Sequence, residues 1–216
     1  MRGSIPPPAI TMLKSTMLIL PFTKKNSDHV FKKSSEILKS RGIIAYPTES
    51  FYALGVLATD EYALKKLFDL KQRPAEKPLP IIVGDLNMLL SIARQIPTDA
   101  RMLIEKFWPG PLTLVFDARE NVSGLLTCGT GKVAVRIPGE SIALDLARNL
   151  GFPLTSTSAN PSGQRPAVET SQLIRYFDDK IDLIIDAGRT PGGRPSTIVD
   201  VTVEPPKVLR TGRITL

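Results

Sequence analysis

The segment Ile44-Ala-Tyr-Pro-Thr-Glu-Ser-Phe-Tyr-Ala-Leu-Gly55 begins with apolar side chains and becomes polar after a proline. Residues 43–46 form a short apolar run, which predicts a buried β-strand. Pro47 ends that strand, because proline has no N–H to donate to a strand ladder. The next residues, Thr48-Glu49-Ser50, form a polar loop. The segment therefore predicts a strand that presents hydroxyl groups where it ends.

Helices and strands alternate on both sides of this segment. Asp28 can cap a helix that Gly42 ends, and Asp60 can cap a second helix. The second helix ends near residues 71–73, because Pro74 disfavours helical backbone at the residue before it. Two more helices are predicted to begin near Asp85 and Thr98, and two others are predicted at residues 141–150 and 170–177. Other strands are predicted at residues 80–83, 112–116, 133–137, 154–157, 183–185, 197–201 and 208–210.

This alternation is typical of an α/β fold, so we predict one α/β domain with a twisted, mixed β-sheet flanked by helices. The domain is expected to span residues 23–216. Residues 1–22 contain Pro6-Pro7-Pro8 and an apolar stretch at residues 12–22. We interpret them as an N-terminal tail with an edge strand, because the prolines cannot join regular hydrogen-bonded structure.

Composition excludes several classes of protein. The chain has 216 residues, of which 42% are hydrophobic and 23% charged, as in an ordinary globular domain. It has one cysteine, Cys128, and one histidine, His29, so an internal disulfide or a multi-histidine metal site cannot form. Since no run of about 18 apolar residues occurs, we expect no membrane span and a cytoplasmic location.

The charge is strongly basic. Twenty-eight basic and 21 acidic residues give a net charge of +7. Such a surplus suits polyanionic partners, including nucleotides and RNA. Charge alone equally fits a solvated basic surface, so both interpretations stay open.

Two familiar nucleotide-binding motifs are incomplete. Gly131-Lys132 is followed by Val133, and Leu126 occupies the position of the first glycine of a P-loop. The glycines at 129 and 131 also precede a predicted strand instead of opening a helix, which is the wrong context for a dinucleotide fold. A P-loop and a Rossmann site are therefore both excluded.

Polar side chains recur where predicted strands end or begin. In open α/β sheets such positions converge on ligands, and hydroxyls, amides and arginines there suit carboxylate and phosphate oxygens. Each residue taken singly also fits an ordinary role, since serine and asparagine form turns and Lys71 suits a helix C-terminus. The strand-end set comprises Thr48, Ser50, Arg136, Ser158, Asn160, Ser196 and Arg210.

The opening segment resembles the signature of the YrdC family of threonylcarbamoyl-AMP synthases. Further blocks follow in the family's order, the resemblance spans about Ser27 to the C-terminus, and the ordered set makes it specific. Two features depart from the family's pattern. Ala53 occupies a position where glycine is common, and the histidine that longer relatives often have near position 82 is absent. Longer relatives have a second C-terminal domain, so we expect the single-domain form. The blocks after the opening segment include Lys71-Gln-Arg73, Lys77-Pro-Leu79, Trp108-Pro-Gly-Pro-Leu-Thr-Leu-Val115, Val133-Ala-Val-Arg-Ile-Pro138, Ser156-Thr-Ser-Ala-Asn160, Ser196-Thr-Ile-Val-Asp200 and Leu209-Arg-Thr-Gly212.

The resemblance implies roles for individual residues. It assigns L-threonine to Ser50, Arg136, Ser158 and Ser196. It assigns ATP to Arg73, Lys77, Lys132, Asn160 and Arg210, with Lys132 the weaker candidate. Lys71 and Arg73 are the candidates for stabilising charge on the phosphates, and Thr48 shapes the same loop. No general base is implied.

The implied reaction joins L-threonine, bicarbonate and ATP into threonylcarbamoyl-AMP and pyrophosphate, for the threonylcarbamoyladenosine modification of tRNA. Mg²⁺ is expected on the ATP phosphates. Implied partners are tRNA or another structured RNA and the proteins that transfer the threonylcarbamoyl group. One alternative is a non-catalytic protein that binds double-stranded RNA or tRNA. Another is a carbamoyl-transfer module of hydrogenase maturation, which is disfavoured because those modules lie in longer chains with zinc-binding cysteines.

Overall fold

The computed structural model describes residues 17–216, so most of the predicted N-terminal tail, residues 1–16, lies outside the described residues. Strands and helices alternate through the described part of the chain, as the sequence predicts. The strands are β1 (Leu18–Pro21), β2 (Ile44–Pro47), β3 (Tyr52–Gly55), β4 (Ile81–Ile82), β5 (Leu112–Asp117), β6 (Lys132–Arg136), β7 (Leu154–Thr155), β8 (Thr157–Ser158), β9 (Leu183–Asp186), β10 (Thr197–Asp200) and β11 (Lys207–Arg210). The helices are α1 (Ser27–Lys39), α2 (Glu61–Lys71), α3 (Leu86–Leu90), α4 (Thr98–Phe107), α5 (Gly124–Thr127), α6 (Ile142–Leu150) and α7 (Thr170–Phe177), followed by a 3-10 turn at Asp178–Lys180.

The predicted α/β class is confirmed, but the strands form two mixed sheets instead of one. The five-stranded sheet has the order β1-β9-β2-β3-β8, and the six-stranded sheet has the order β11-β10-β5-β6-β4-β7. The run 154–157, predicted as a single strand, is split between them. Strand β7 pairs with β4 in the larger sheet, whereas β8 pairs with β3 in the smaller one. The chain therefore crosses from one sheet to the other at Ser156.

Strands β2 and β3 of the five-stranded sheet are buried on both faces. Ile44 and Tyr46 of β2 pack in a core with residues of helices α1 and α6. Ala45, between them, belongs to the larger core that includes residues of the six-stranded sheet. This alternation follows from the two-residue period of a strand, whose successive side chains point to opposite faces. Strand β1 lies at one edge of the sheet and pairs with β9, within the segment interpreted as a tail with an edge strand.

The ends of the first two helices agree only in part with the sequence. Asp60 caps α2 as predicted, accepting a hydrogen bond from the Ala63 N–H at 3.0 Å. Helix α1, however, ends at Lys39, and Arg41, with φ of 65°, adopts the left-handed conformation expected of a glycine. Gly42 is required for a different reason, since a Cβ there would lie 2.4 Å from Ile37 Cγ2. Asp28 likewise lies inside the first turn of α1 and is not its cap.

Within residues 17–216, we find no helix with the length and apolar character needed to cross a membrane.

Candidate active site between the two sheets

A cavity of about 480 Å³ opens where the two sheets meet. Strands β3 and β8 of the smaller sheet line one side of it, and β4, β5 and β6 of the larger sheet line the other. Six of the residues predicted to bind ligands or stabilise charge line this cavity together. They are Ser50, Arg73, Arg136, Ser158, Ser196 and Arg210.

The register of the six-stranded sheet explains why residues distant in sequence meet at the cavity. Strands β5 and β6 are antiparallel, with Leu114 opposite Val135, so Thr113 near the start of β5 lies near Arg136 at the end of β6. Strand β10 is parallel to β5, which places Ser196 beside Thr113. Their side-chain oxygens are 2.8 Å apart. The lining residues thus follow from strand pairing.

Two glycines fix the backbone around this edge. The Gly110 N–H donates to the Ile137 carbonyl at 3.0 Å, and a Cβ on Gly110 would lie only 2.2 Å from the Phe107 carbonyl oxygen. A Cβ on Gly212 would lie 2.3 Å from the Pro195 carbonyl oxygen. Both positions therefore require glycine because another backbone segment passes too close for a side chain.

The loop after β2 is ordered by Thr48. Its hydroxyl donates to the Phe51 carbonyl at 2.8 Å and accepts from the Ser50 N–H at 3.1 Å. The Ser50 carbonyl in turn accepts from the Gly192 N–H at 2.6 Å. These bonds fix the backbone of the loop and place the Ser50 hydroxyl, 3.3 Å from that of Thr48, in the cavity wall. Thr48 lines the cavity and shapes the loop, as predicted for it.

Arg136 forms an ion pair with Glu49 from the same loop. Only 11% of the Arg136 side chain and 15% of the Glu49 side chain are exposed. The Glu49 Oε2 atom is buried and has no hydrogen-bond partner among the described residues. Sequence reasoning missed this pairing, although Glu49 stands in the polar loop that the opening segment predicts. Residue type alone does not show which arginine will pair with a carboxylate that is 87 residues away in the sequence.

Lys71 lies beneath the cavity wall and does not line the cavity. Its side chain is buried, and its Nζ donates to the carbonyls of Ser158 and Asn160. Burial, with a smaller contribution from the charge of Arg73, lowers the pKa of Lys71 to about 7. Lys71 thus supports the loop after β8, whereas the sequence suggested a charge facing phosphates.

Asn160 also lies behind the wall and is not a lining residue. Its Oδ1 accepts from the Ser158 hydroxyl at 2.6 Å, and its Nδ2 donates to the carbonyls of Pro161 and Gln164, both at 2.9 Å. The amide is therefore engaged within its own loop and orients the Ser158 hydroxyl.

Arg73 reaches the cavity from the segment after α2, and Arg210 reaches it from the end of β11. Arg73 donates to the carbonyls of Lys77 and Pro78 at 2.9 and 2.8 Å. Arg210 donates to the Ser196 carbonyl at 2.8 Å. Burial lowers the pKa of Arg73, and burial together with the charge of Arg136 lowers the pKa of Arg210. Both remain cations, because the guanidinium pKa starts far above neutral pH.

The other two residues predicted to bind ATP, Lys77 and Lys132, do not line the cavity. Lys77 is exposed and meets Arg73 only through its backbone carbonyl. Lys132 begins β6, at the opposite end from Arg136, and its Nζ lies 3.0 Å from an Asp200 carboxylate oxygen. Their assignment to ATP therefore stays a prediction, without support from their positions.

The cavity combines three guanidinium groups with several hydroxyls. Guanidinium groups bind carboxylate or phosphate in a bidentate manner, and hydroxyls both donate and accept. Among residues 17–216, no three His, Cys, Asp or Glu side chains are grouped so as to hold a metal ion. The arrangement suits a small anionic or zwitterionic molecule together with a polyphosphate.

Comparison with known proteins agrees with this description. The Sua5_yciO_yrdC family model, described as "Telomere recombination", matches residues 36–212. A threonylcarbamoyl-AMP synthase of Pyrococcus abyssi is 38% identical over 199 residues, which cover 92% of this chain and 58% of that protein. Another, from Idiomarina loihiensis, is 42% identical over 161 residues, which cover 74% of this chain and 87% of the relative.

Solved structures show the same fold. P. abyssi Sua5 complexed with L-threonine superposes with a TM-score of 0.84 at 37% identity, over 91% of this chain and 57% of that one. E. coli YciO gives 0.81 at 26% identity, over 92% of this chain and 96% of that one. The chain thus spans little more than half of the P. abyssi protein and nearly all of YciO. Sequence motifs, fold and family match agree, and the chain belongs to the Sua5/YciO/YrdC family.

Proposed function

We propose that this protein is a threonylcarbamoyl-AMP synthase, which joins L-threonine, bicarbonate and MgATP into threonylcarbamoyl-AMP, pyrophosphate and water. One observation carries the proposal. Three arginines and the hydroxyls of Ser50, Ser158 and Ser196 line a single cavity between the sheets. Such a cavity can hold an amino acid and a triphosphate side by side. The identity to the P. abyssi threonylcarbamoyl-AMP synthase supports the same activity.

In the proposed reaction, the threonine amine adds to CO2 with loss of a proton, or to bicarbonate with loss of water, and forms a carbamate. A carbamate oxygen then attacks the α-phosphorus of ATP, and the bond to pyrophosphate breaks. No step needs a covalent protein nucleophile. The protein contributes by aligning the reactants and by stabilising negative charge on phosphate oxygens, which arginines held in fixed positions do well.

The residues divide these tasks by position. Arg136 binds the threonine carboxylate with its forked guanidinium, and the three serines contact the rest of the amino acid. Arg73 and Arg210 bind the phosphates. Lys71 and Asn160 act from behind the wall by holding the loop that carries Ser158.

Mg²⁺ fits this scheme as part of the MgATP substrate. The cavity wall offers hydroxyls and guanidinium groups, and no three carboxylate, imidazole or thiol groups cluster among the described residues. Magnesium commonly keeps several waters and is held chiefly by substrate phosphates in nucleotide sites. We therefore propose that the ATP phosphates bring the ion into the cavity.

The product is a mixed anhydride of a carbamic and a phosphoric acid, which is activated for transfer. A transferase that moves the threonylcarbamoyl group to tRNA is therefore the proposed consumer of the product. The net charge of +7 is compatible with a tRNA-bound assembly.

The proposed function predicts that pyrophosphate release will depend on both co-substrates. In an assay with purified protein, MgATP, L-threonine and labelled bicarbonate, we expect release only when threonine and bicarbonate are both present. The label should appear in a product that also contains AMP. Equal release without either co-substrate would instead indicate a general nucleotide hydrolase.

The serine hydroxyls also predict amino-acid selectivity. L-Serine lacks only the methyl group of threonine, worth about 1 kcal/mol, so its kcat/KM should be about tenfold lower. L-Valine has the shape of threonine but no hydroxyl, and it would leave polar groups of the wall unpaired. We expect valine to be a poorer substrate than serine, as measured by steady-state kcat/KM for the three amino acids. A kcat/KM for valine equal to or above that of serine would refute a hydroxyl-binding site.

A further inference from the structure

The three arginines of the cavity have different electrostatic surroundings. Arg136 is paired with the carboxylate of Glu49. Arg73 and Arg210, by contrast, donate to backbone carbonyls and to one serine hydroxyl, which carry no formal charge. In the described part of the chain, neither of these two arginines forms an ion pair with an acidic side chain. The cavity thus has a nearly neutral end and a positively charged end.

Glu49 is held in place by its backbone and not only by its partner. Its loop is ordered by the Thr48 hydroxyl on one side. Its own carbonyl accepts from Arg213 at 3.2 Å, and Arg213 also donates to Gly192 at 3.3 Å. Because its Oε2 is buried without a partner, the negative charge of Glu49 is incompletely compensated by Arg136 alone. Arg213 bonds the Glu49 backbone and forms no ion pair with its carboxylate among the described residues, so Oε2 still favours a further positive group.

The two substrates differ in the charges that they would bring to Arg136. An α-amino acid carries a carboxylate for the guanidinium and also an ammonium group, which the Glu49 charge attracts. A triphosphate carries only negative charge, which Glu49 repels. Without Glu49, three unpaired arginines would attract phosphate throughout the cavity, and ATP or pyrophosphate would compete for the amino-acid position.

We propose that Glu49 determines specificity by reserving Arg136 for the zwitterionic amino acid and directing phosphates to Arg73 and Arg210. This inference rests on the proposed function and deepens it. Glu49 does not itself line the cavity. It acts partly by positioning Arg136 and partly through its charge, which attracts the substrate ammonium from behind the wall. The second contribution distinguishes this role from simple structural support.

The test compares two ligands that differ only in the amino group. (R)-3-Hydroxybutyrate is L-threonine with the α-amino group replaced by hydrogen, so it keeps the carboxylate, the hydroxyl and the methyl. Calorimetric titration of the wild type should show threonine binding about tenfold or more tighter than (R)-3-hydroxybutyrate. In Glu49→Gln, which keeps side-chain volume, this ratio should fall close to one. Glu49→Asp should restore part of it.

Competition supplies a second readout. Inorganic pyrophosphate with Mg²⁺ should leave threonine binding to the wild type unchanged, and it should displace threonine from Glu49→Gln. Glu105→Gln, which removes an exposed carboxylate on α4, is the matched control and should behave as the wild type.

Three results would overturn the inference. One is equal affinity of the wild type for threonine and (R)-3-hydroxybutyrate, a result that does not depend on whether any variant folds. Another is an unchanged ratio in a folded Glu49→Gln, since a purely structural loss at Arg136 would weaken both ligands equally. The third is failure of the wild type to bind threonine at all, which would overturn the proposed function as well. A wild type that binds threonine but shows no preference over the deaminated ligand overturns only the inference.

Discussion

Replacing Arg136 with methionine is expected to lower kcat/KM for threonine by about two to three orders of magnitude. The estimate corresponds to the loss of a bidentate, charge-assisted contact worth about 3–4 kcal/mol. The same change leaves the Glu49 carboxylate without its partner, in a place where 15% of its side chain is exposed. We therefore also expect a loss of stability of about 2–4 kcal/mol, measured by urea unfolding.

A double variant separates these two effects. Arg136→Met combined with Glu49→Gln removes both charges, so most of the lost stability should return. The activity should not, because no guanidinium remains to bind the threonine carboxylate. Recovery of activity together with stability would mean that Arg136 supports the fold and does not bind substrate.

Lys71 is expected to make the stability of the protein depend on pH between about 7 and 10. The folded pKa is lowered to about 7 from the ordinary value of 10.5. In this window the unfolded chain binds a proton that the folded protein does not, so the free energy of unfolding rises with pH. Relative to Lys71→Met, the wild type should gain up to about 1.4 kcal/mol per pH unit.

The hydrogen bonds of Lys71 are consistent with this direction. Within residues 17–216, its Nζ has two acceptors, the carbonyls of Ser158 and Asn160. A neutral amine has two N–H groups, whereas an ammonium has a third to satisfy. Lys65→Met, on the exposed face of the same helix, is the control and should give a curve parallel to that of the wild type. Parallel curves for the wild type and Lys71→Met would show that the Lys71 pKa is ordinary.

The sequence predicts most of this fold because its signals are local. Asp60 caps α2, and Gly151, with φ of 70°, ends α6, because each preference depends on a few neighbouring residues. Strand β3 and helix α5 escaped prediction because both are too short to give a clear local signal. Strand β3 has only four residues and ends in Gly55, and α5 has only four residues, so neither shows a periodic pattern.

The candidate site is predictable where strand ends decide it. Arg136 and Lys132 illustrate the limit, because both are basic and both lie on β6. The pairing of Lys132 with Asp117, the last residue of β5, places this lysine at the end of β6 opposite the cavity. Lys71 illustrates a second limit. A lysine in the last turn of a helix is ordinarily exposed, and its burial results from residues 158–160 passing over it, which no local pattern reveals.

The passage of the chain between sheets at Ser156 has a mechanical consequence. The two sheets form opposite walls of the cavity, and Ser156 lies where the chain passes from one sheet to the other. Its N–H donates to the Pro80 carbonyl at 2.8 Å. A rotation of about 5° there moves an atom about 10 Å away by about 1 Å, a misplacement that can cost about a hundredfold in rate. The stiffness of this crossing therefore affects how precisely Ser158 of one sheet and Arg136 of the other are placed against a common ligand.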